Sequence, residues 1–134
     1  MKQLTLFEES YLLQFKPIKH WAYNCEAVEH INIRYGINKR GEVYDFKNHK
    51  TKNSFKSSNG YLNMSIQKED GKTKNYLHHR LVACTFLENT NKLKYNQVDH
   101  IDEDKYNNHL LNLKWVTHSE NNKVKTKSNQ LEMF

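Results

Sequence analysis

The chain has 134 residues, a formal net charge of +6 and a mean hydropathy of −0.97. That length holds one compact domain with tails, and a hydrophobic share of 37% leaves a small core in which eight tyrosines and six phenylalanines carry much of the buried area. One proline and four glycines exclude a collagen-like or linker-rich chain, and no run of residues is apolar enough to span a membrane.

Two cysteines, Cys25 and Cys84, are too few and too far apart for a Cys-x-x-Cys zinc site or a disulfide framework. With no signal or transit peptide visible, a cytoplasmic location is expected. The basic charge, interleaved with Tyr, Phe and Asn, suits a polyanion as well as an ordinary solvated surface.

In chain order, the first ten residues, MKQLTLFEES, lack helical periodicity and read as a flexible tail. Aromatic and apolar positions around Pro17 and Trp21 place one helix over Trp21 to His30. From Ile33 to His79 the pattern shifts to short alternating runs broken at Lys39-Arg40-Gly41, Asn59-Gly60 and Asp70-Gly71. Strands are expected at Glu42–Phe46, Tyr61–Gln67 and Lys74–His78, forming a small antiparallel meander. Its outer face carries Arg34, Lys39, Arg40, Lys47, Lys50 and Lys52, all candidates for phosphate contacts.

HRLVACTFL, His79 to Leu87, puts Leu81, Val82, Thr85 and Phe86 on one helical face. A polar loop, Glu88 to Asn96, leads to a strand at Gln97–Ile101, a loop at Asn107-Asn108 and a second strand at Asn112–Val116. Thr117 or Ser119 then caps a helix running to about Lys125, whose Lys123 and Lys125 complement both the helix C-terminus and phosphate. The class is α+β, with a meander, a helix and a strand-loop-strand-helix unit.

The chemistry concentrates in DHIDEDKYNNHLLNLKWVTHSENN, Asp99 to Asn122. Carboxylate and amide oxygens are ligands for a hard divalent cation, and a neutral imidazole beside them can take a proton from water. Soft ligands are missing, which disfavours zinc. This reads as a one-metal hydrolytic site.

The order of these residues resembles the HNH, or His-Me finger, endonucleases of homing or phage type. HHRLVACTFL is similar to the helix preceding the motif in that family, and YGINKRGEVYDFKNHKTK to its N-terminal β-module. The likeness covers about residues 35–122. It implies a ββα-metal fold and DNA cleavage with one Mg²⁺ or Mn²⁺ per site. Asp99 would be the metal-binding carboxylate, His100 the general base, Asn112 the middle Asn and Asn121 the distal metal ligand; Asn107 and Asn108 fall in the joining loop. Asn112 is then expected to hold the imidazole or the loop behind it. Adjacent strand residues point to opposite faces, so the strand must twist or end at His100 for Asp99 and His100 to serve one phosphate. A monomer with one such site nicks one strand; a weak dimer would cut two. The domains expected are a tail over 1–10, a DNA-contacting helix and meander over 11–78, the nuclease core over 79–125 and a tail over 126–134. The resemblance places the protein at the nucleoid of a bacterial or phage-infected cell.

An isolated Asp-His pair is ordinarily a solvated turn, and only the four matching positions with the preceding helix outweigh that reading. His79 is read more as a structural residue of the helix than as a support for the site. His78, His109 and His118 flank the site, with exposed surface as their default. Trp115 is expected in the core beneath the hairpin.

Gln3-Leu4-Thr5-Leu6-Phe7 and Gln130-Leu131-Glu132-Met133-Phe134 both fit Gln-Leu-x-(Leu/Met)-Phe. This resembles the peptide that binds the bacterial sliding clamp, a Gln anchor followed by apolar plugs. The clamp-binding candidates are therefore Gln3, Leu4, Leu6, Phe7, Gln130, Leu131, Met133 and Phe134. A short apolar tail packing on its own domain is the plainer alternative. The competing functions are a non-catalytic DNA-binding accessory factor of replication and, behind it, an RNase.

Overall fold

The computed structural model describes residues 3–122. Within the segment expected to be a flexible tail, a helix α1 spans Leu6–Leu12. Thr5 starts it with a capping box, accepting from the Glu8 amide at 3.1 Å while its own amide donates to the Glu8 carboxylate. The Thr-x-x-Glu signature was in the sequence, but a seven-residue helix shows too few turns for periodicity to reveal it.

The helix expected over Trp21 to His30 does not form. Two short strands, β2 (Lys19–His20) and β3 (Glu29–His30), pair antiparallel instead. Residues 22–28 are all exposed, so a helix there would have had no face to bury. Ile18 and Ile31 carry the packing, joined by the Ile31 amide to the Ile18 carbonyl at 3.1 Å.

The expected meander divides into two sheets. β1 (Lys16–Pro17), β4 (Tyr35–Ile37), β5 (Val43–Asp45) and β6 (Lys50–Lys52) lie in the order β1-β4-β5-β6. β7 (Phe55–Lys56), β8 (Leu62–Gln67) and β9 (Thr73–Leu77) form the other sheet, hinged on the Asn-Gly and Asp-Gly turns. Alternation along β8 buries Met64 and Ile66 against Val43, Ile37, Leu81 and Val82.

Helix α2 (His78–Phe86) follows β9 directly and supplies the core's centre. β10 (Gln97–His100) and β11 (Leu113–Val116) pair with His100 opposite Leu113, and α3 (His118–Asn121) begins at a second capping box from Thr117 to Glu120. Strand, loop, strand and helix therefore occur in the expected order.

Arg80 ties α2 to the loops around it. Its Nε donates to the Trp21 carbonyl at 2.8 Å and its Nη1 to the Asn96 carbonyl at 2.6 Å. The guanidinium also lies 5.3 Å from the Trp115 ring, which stacks on Trp21 at 5.1 Å. Trp115 thus packs inside the fold, its indole N–H donating to Leu87.

Two imidazoles, one buried and one half-buried, make stability depend on acid. Burial, reinforced by Arg80, holds His20 down to about 4. Burial, then His100, holds His79 down to about 3. An unfolded imidazole titrates near 6.5, so between that value and the folded one the unfolded chain binds more protons. Stability is therefore complete above pH 6.5 and is lost as pH falls below it. The expected loss is on the order of 2 kcal/mol per imidazole by pH 5. Thermal melts from pH 8 to pH 4 check this; a flat melting temperature down to pH 5 would contradict it.

Candidate active site

His100 is the last residue of β10 and is 5% exposed. Its Nε2 lies 2.7 Å from Asn108 Oδ1. An amide oxygen only accepts, so the proton resides on Nε2 and Nδ1 presents the lone pair. The ring is packed by His79 of α2, with centroids 4.8 Å apart, and Tyr61 lies 6.1 Å away. His79, read from sequence as structural, therefore supports the base directly. Asn108, rather than Asn112, holds the imidazole.

Asn112 has the other of its two expected tasks, the loop. Its side-chain oxygen accepts from the Asp102 amide at 3.0 Å, and Nδ2 donates to Asp102 Oδ1 at 2.8 Å and to the Asn107 carbonyl at 2.9 Å. Asp102 Oδ2 also accepts from Asn107 Nδ2 at 2.8 Å. Hydrogen bonds, from Asn107 first and then the Asp104 amide and Asn112, hold the Asp102 carboxyl below its ordinary range. The knot fixes the 102–108 loop that carries Asn108. Asp102 escaped the sequence reading because the segment holds five acidic residues and spacing does not say which one the loop amides bind.

A second support comes from the β4–β5 turn. The Leu110 amide donates to the Lys39 carbonyl at 2.8 Å, and His78 Nε2 donates to the Gly41 carbonyl. Gly41 has φ +89°, and a Cβ there would meet the Asn108 carbonyl oxygen at 3.1 Å. Gly41→Ala is therefore expected to cost about 1–2 kcal/mol from the left-handed backbone and to push Asn108 from His100. The expected result is slower cleavage with unchanged DNA affinity, read by melting and turnover.

The burial pattern of β10 alternates, with Val98 and His100 buried and Gln97 and Asp99 half-buried. Asp99 and His100 thus leave the strand on opposite faces, the arrangement that counts against one shared site, and the strand ends at His100. Helix α3, which carries Asn121, packs on β10. One carboxylate and one amide oxygen are hard donors that fit a Mg²⁺-like ion keeping most of its waters. Among the described residues no cluster of three or more His, Cys, Asp or Glu side chains could replace that pair.

The candidate DNA contacts separate into two groups. Arg34 is committed within the fold: Nε and Nη2 donate to Asp45 at 2.9 and 2.8 Å, and Nη1 donates to Gln67 at 2.6 Å. Arg40 is likewise engaged by Glu42 and Gln14. Arg34 is half-buried in its pair, whereas Arg40 remains exposed beside Glu42. Lys39, Lys47 and Lys50 are exposed and Lys52 half-buried. Lys123 and Lys125 lie outside the described residues, as do Gln130, Leu131, Met133 and Phe134. Of the N-terminal peptide, Gln3, Leu4, Leu6 and Phe7 are all exposed, Leu6 at 83% and Phe7 at 80%.

A ββα unit with Asp-His on its first strand and Asn on its helix defines an HNH site, and residues 92–123 match the family model described as HNH endonuclease. The chain thus carries an HNH-type module over those residues. It is 39% identical over 90 residues to an uncharacterised HNH endonuclease of Acanthamoeba polyphaga mimivirus, covering 67% of this chain and 26% of the relative. It is 40% identical over 83 residues to the DNA endonuclease I-HmuI of Bacillus phage SP01, covering 62% of this chain and 46% of that one. A putative HNH homing endonuclease from the SPbeta prophage of Bacillus subtilis is 38% identical over 85 residues, covering 63% of this chain and 48% of the relative. The solved structure of I-HmuI matches with a TM-score of 0.57 at 34% identity, over 74% of this chain and 60% of that one. The chain thus spans a quarter to about half the length of these curated relatives.

Proposed function

We propose that this protein is a metal-dependent DNA endonuclease that nicks one strand per encounter, with Mg²⁺ or Mn²⁺ as its ion. The observation that carries the reading is the His100–Asn108 bond at 2.7 Å, which presents Nδ1 of a buried imidazole at the end of β10. Phosphodiester hydrolysis needs a base for the attacking water and positive charge on the phosphate. His100 Nδ1 takes the water's proton. Asn108 keeps the other nitrogen protonated and so fixes the tautomer. Asn112 and Asp102 hold the loop that positions Asn108. Asp99 and Asn121 would hold the ion, which when bound supplies charge for the phosphate and the departing 3′ oxygen. Lys39, Lys47, Lys50 and Lys52 neutralise neighbouring phosphates.

The test is supercoiled plasmid incubated with Mg²⁺ or Mn²⁺, with and without EDTA. Nicked circles that form only without EDTA are the expected product. Intact plasmid with both ions would overturn the enzymatic reading in favour of a binding factor. Linear product without a nicked precursor would overturn the single-site reading.

The two terminal peptides would dock this nuclease on a sliding clamp. Support comes from Leu6 and Phe7, which the fold leaves exposed instead of packing against its own surface. Because Leu6 begins α1, extended docking would unwind that helix's first turn. A purified clamp that binds neither peptide removes this part of the proposal.

A further inference from the structure

Two lysine–tyrosine pairs cross the seam between the β7-β8-β9 sheet and the catalytic loop. Lys105, on the loop, places its Nζ 4.5 Å from the ring centroid of Tyr61, on the sheet side. Lys56, on β7, places its Nζ 5.7 Å from the ring of Tyr106, on the loop. Each element thus lends a cation to an aromatic ring of the other. Lys105 and Lys56 are both exposed, and among the described residues no carboxylate pairs with either. They differ in this from Arg34 and Arg40, which pair with Asp45 and Glu42.

An exposed ammonium is attracted only weakly to the face of a phenol ring. Such a cation is held ready but not committed, and a DNA phosphate competes for it by releasing about 0.9 of a counterion per contact. Position then decides which phosphate. Tyr61 contacts His79 with centroids 5.1 Å apart and lies 6.1 Å from His100. Lys105 is therefore one ring away from the base, and Lys56 meets Tyr106, the next residue of the loop.

We infer that Lys105, resting on Tyr61, binds the DNA backbone beside the scissile phosphate, with Lys56 on Tyr106 holding the next stretch of the same track. The seam is the floor along which the cleaved strand runs into the site. Tyr61 acts as a positioning residue, keeping Lys105 and the His79–His100 stack in one arrangement. This rests on the DNA-cleaving reading above.

The test measures affinity for a short duplex across a series of salt concentrations, together with nicking kinetics, for the parent, Lys105→Gln, Lys56→Gln and Lys105→Arg. Each Gln variant is expected to lower the slope of log affinity against log salt by about one and to raise KM, whereas Arg retains the slope. Tyr61→Leu is expected to lower kcat about tenfold by loosening the site, and Tyr61→Phe to restore it. The lysines are exposed, so melting temperatures should stay near the parent's. A Lys105→Gln variant with the parent's slope and KM overturns the inference while leaving the nuclease intact. A parent that neither binds nor cleaves DNA overturns both, and these two failures are distinct.

Discussion

Replacing His100 with Ala is expected to abolish cleavage, by about 10²–10⁴-fold, the usual contribution of a positioned general base, while DNA affinity stays unchanged. The His100 imidazole has a fixed tautomer and a nitrogen left for the attacking water. Asn108 Oδ1 accepts a hydrogen bond from Nε2–H at 2.7 Å, so Nδ1 is the basic atom. His79 cannot substitute for it. That ring is 5% exposed and held neutral by burial down to about 3, too weak a base to draw a proton from water near pH 7. Among the described residues no hydrogen bond or ion pair joins His100 to a lysine, so affinity is expected to stay unchanged. The experiment compares nicking under single-turnover conditions with duplex affinity for the same preparation. Cleavage within threefold of the parent would remove His100 from the mechanism.

Asn112→Asp is expected to slow nicking by about 10²-fold, the scale of a misplaced catalytic group. The two residues have nearly the same shape, so packing is not the issue. Nδ2 of Asn112 donates to Asp102 Oδ1 at 2.8 Å and to the Asn107 carbonyl at 2.9 Å. An aspartate there turns both donations into oxygen–oxygen contacts and sets two carboxylates against each other. Like charges at that distance repel, and the loop that carries Asn108 must open. The double variant Asp102→Asn with Asn112→Asp restores one donor facing one acceptor, and it should recover much of the lost rate. Recovery measures the coupling between the two positions directly. A single variant with the parent's turnover, or a double variant slower than the single, would show that the knot does not position the base.

The parts of this protein that were legible in its sequence are those encoded within a few residues. Asn59-Gly60 and Asp70-Gly71 turn where tight turns are expected, and β8 alternates because every second side chain faces the core. Thr117 caps α3 through its own Glu120. The segment from Asp99 to Asn121 could be read because an HNH unit is contiguous, with strand, loop, strand and helix in order. Where local signals were weak, packing decided. Trp21 to His30 looked helical by composition, but the burial of Ile18 against Ile31 favoured a pair of short strands. Residues 1–10 looked loose, although one capping box was enough to start α1.

Within the site the division follows the same physics. The sequence by itself determined which residue types were available: an Asp-His pair ending a strand, two Asn in the loop, one Asn on each side of β11. It determined these because metal ligation and proton transfer depend on the functional groups a side chain carries. Only the tertiary structure decided the partners. It tied Asp102 to Asn112, gave the imidazole to Asn108, brought His79 from α2 against His100 and placed Gly41 under the Asn108 carbonyl. It also sorted the basic residues, tying Arg34 and Arg40 to carboxylates and leaving Lys105 and Lys56 beside the site. Hydrogen bonds reach only about 3 Å and ring contacts only about 5–6 Å. Which groups fall within those distances is set by how distant segments pack, and spacing along the chain does not carry that information.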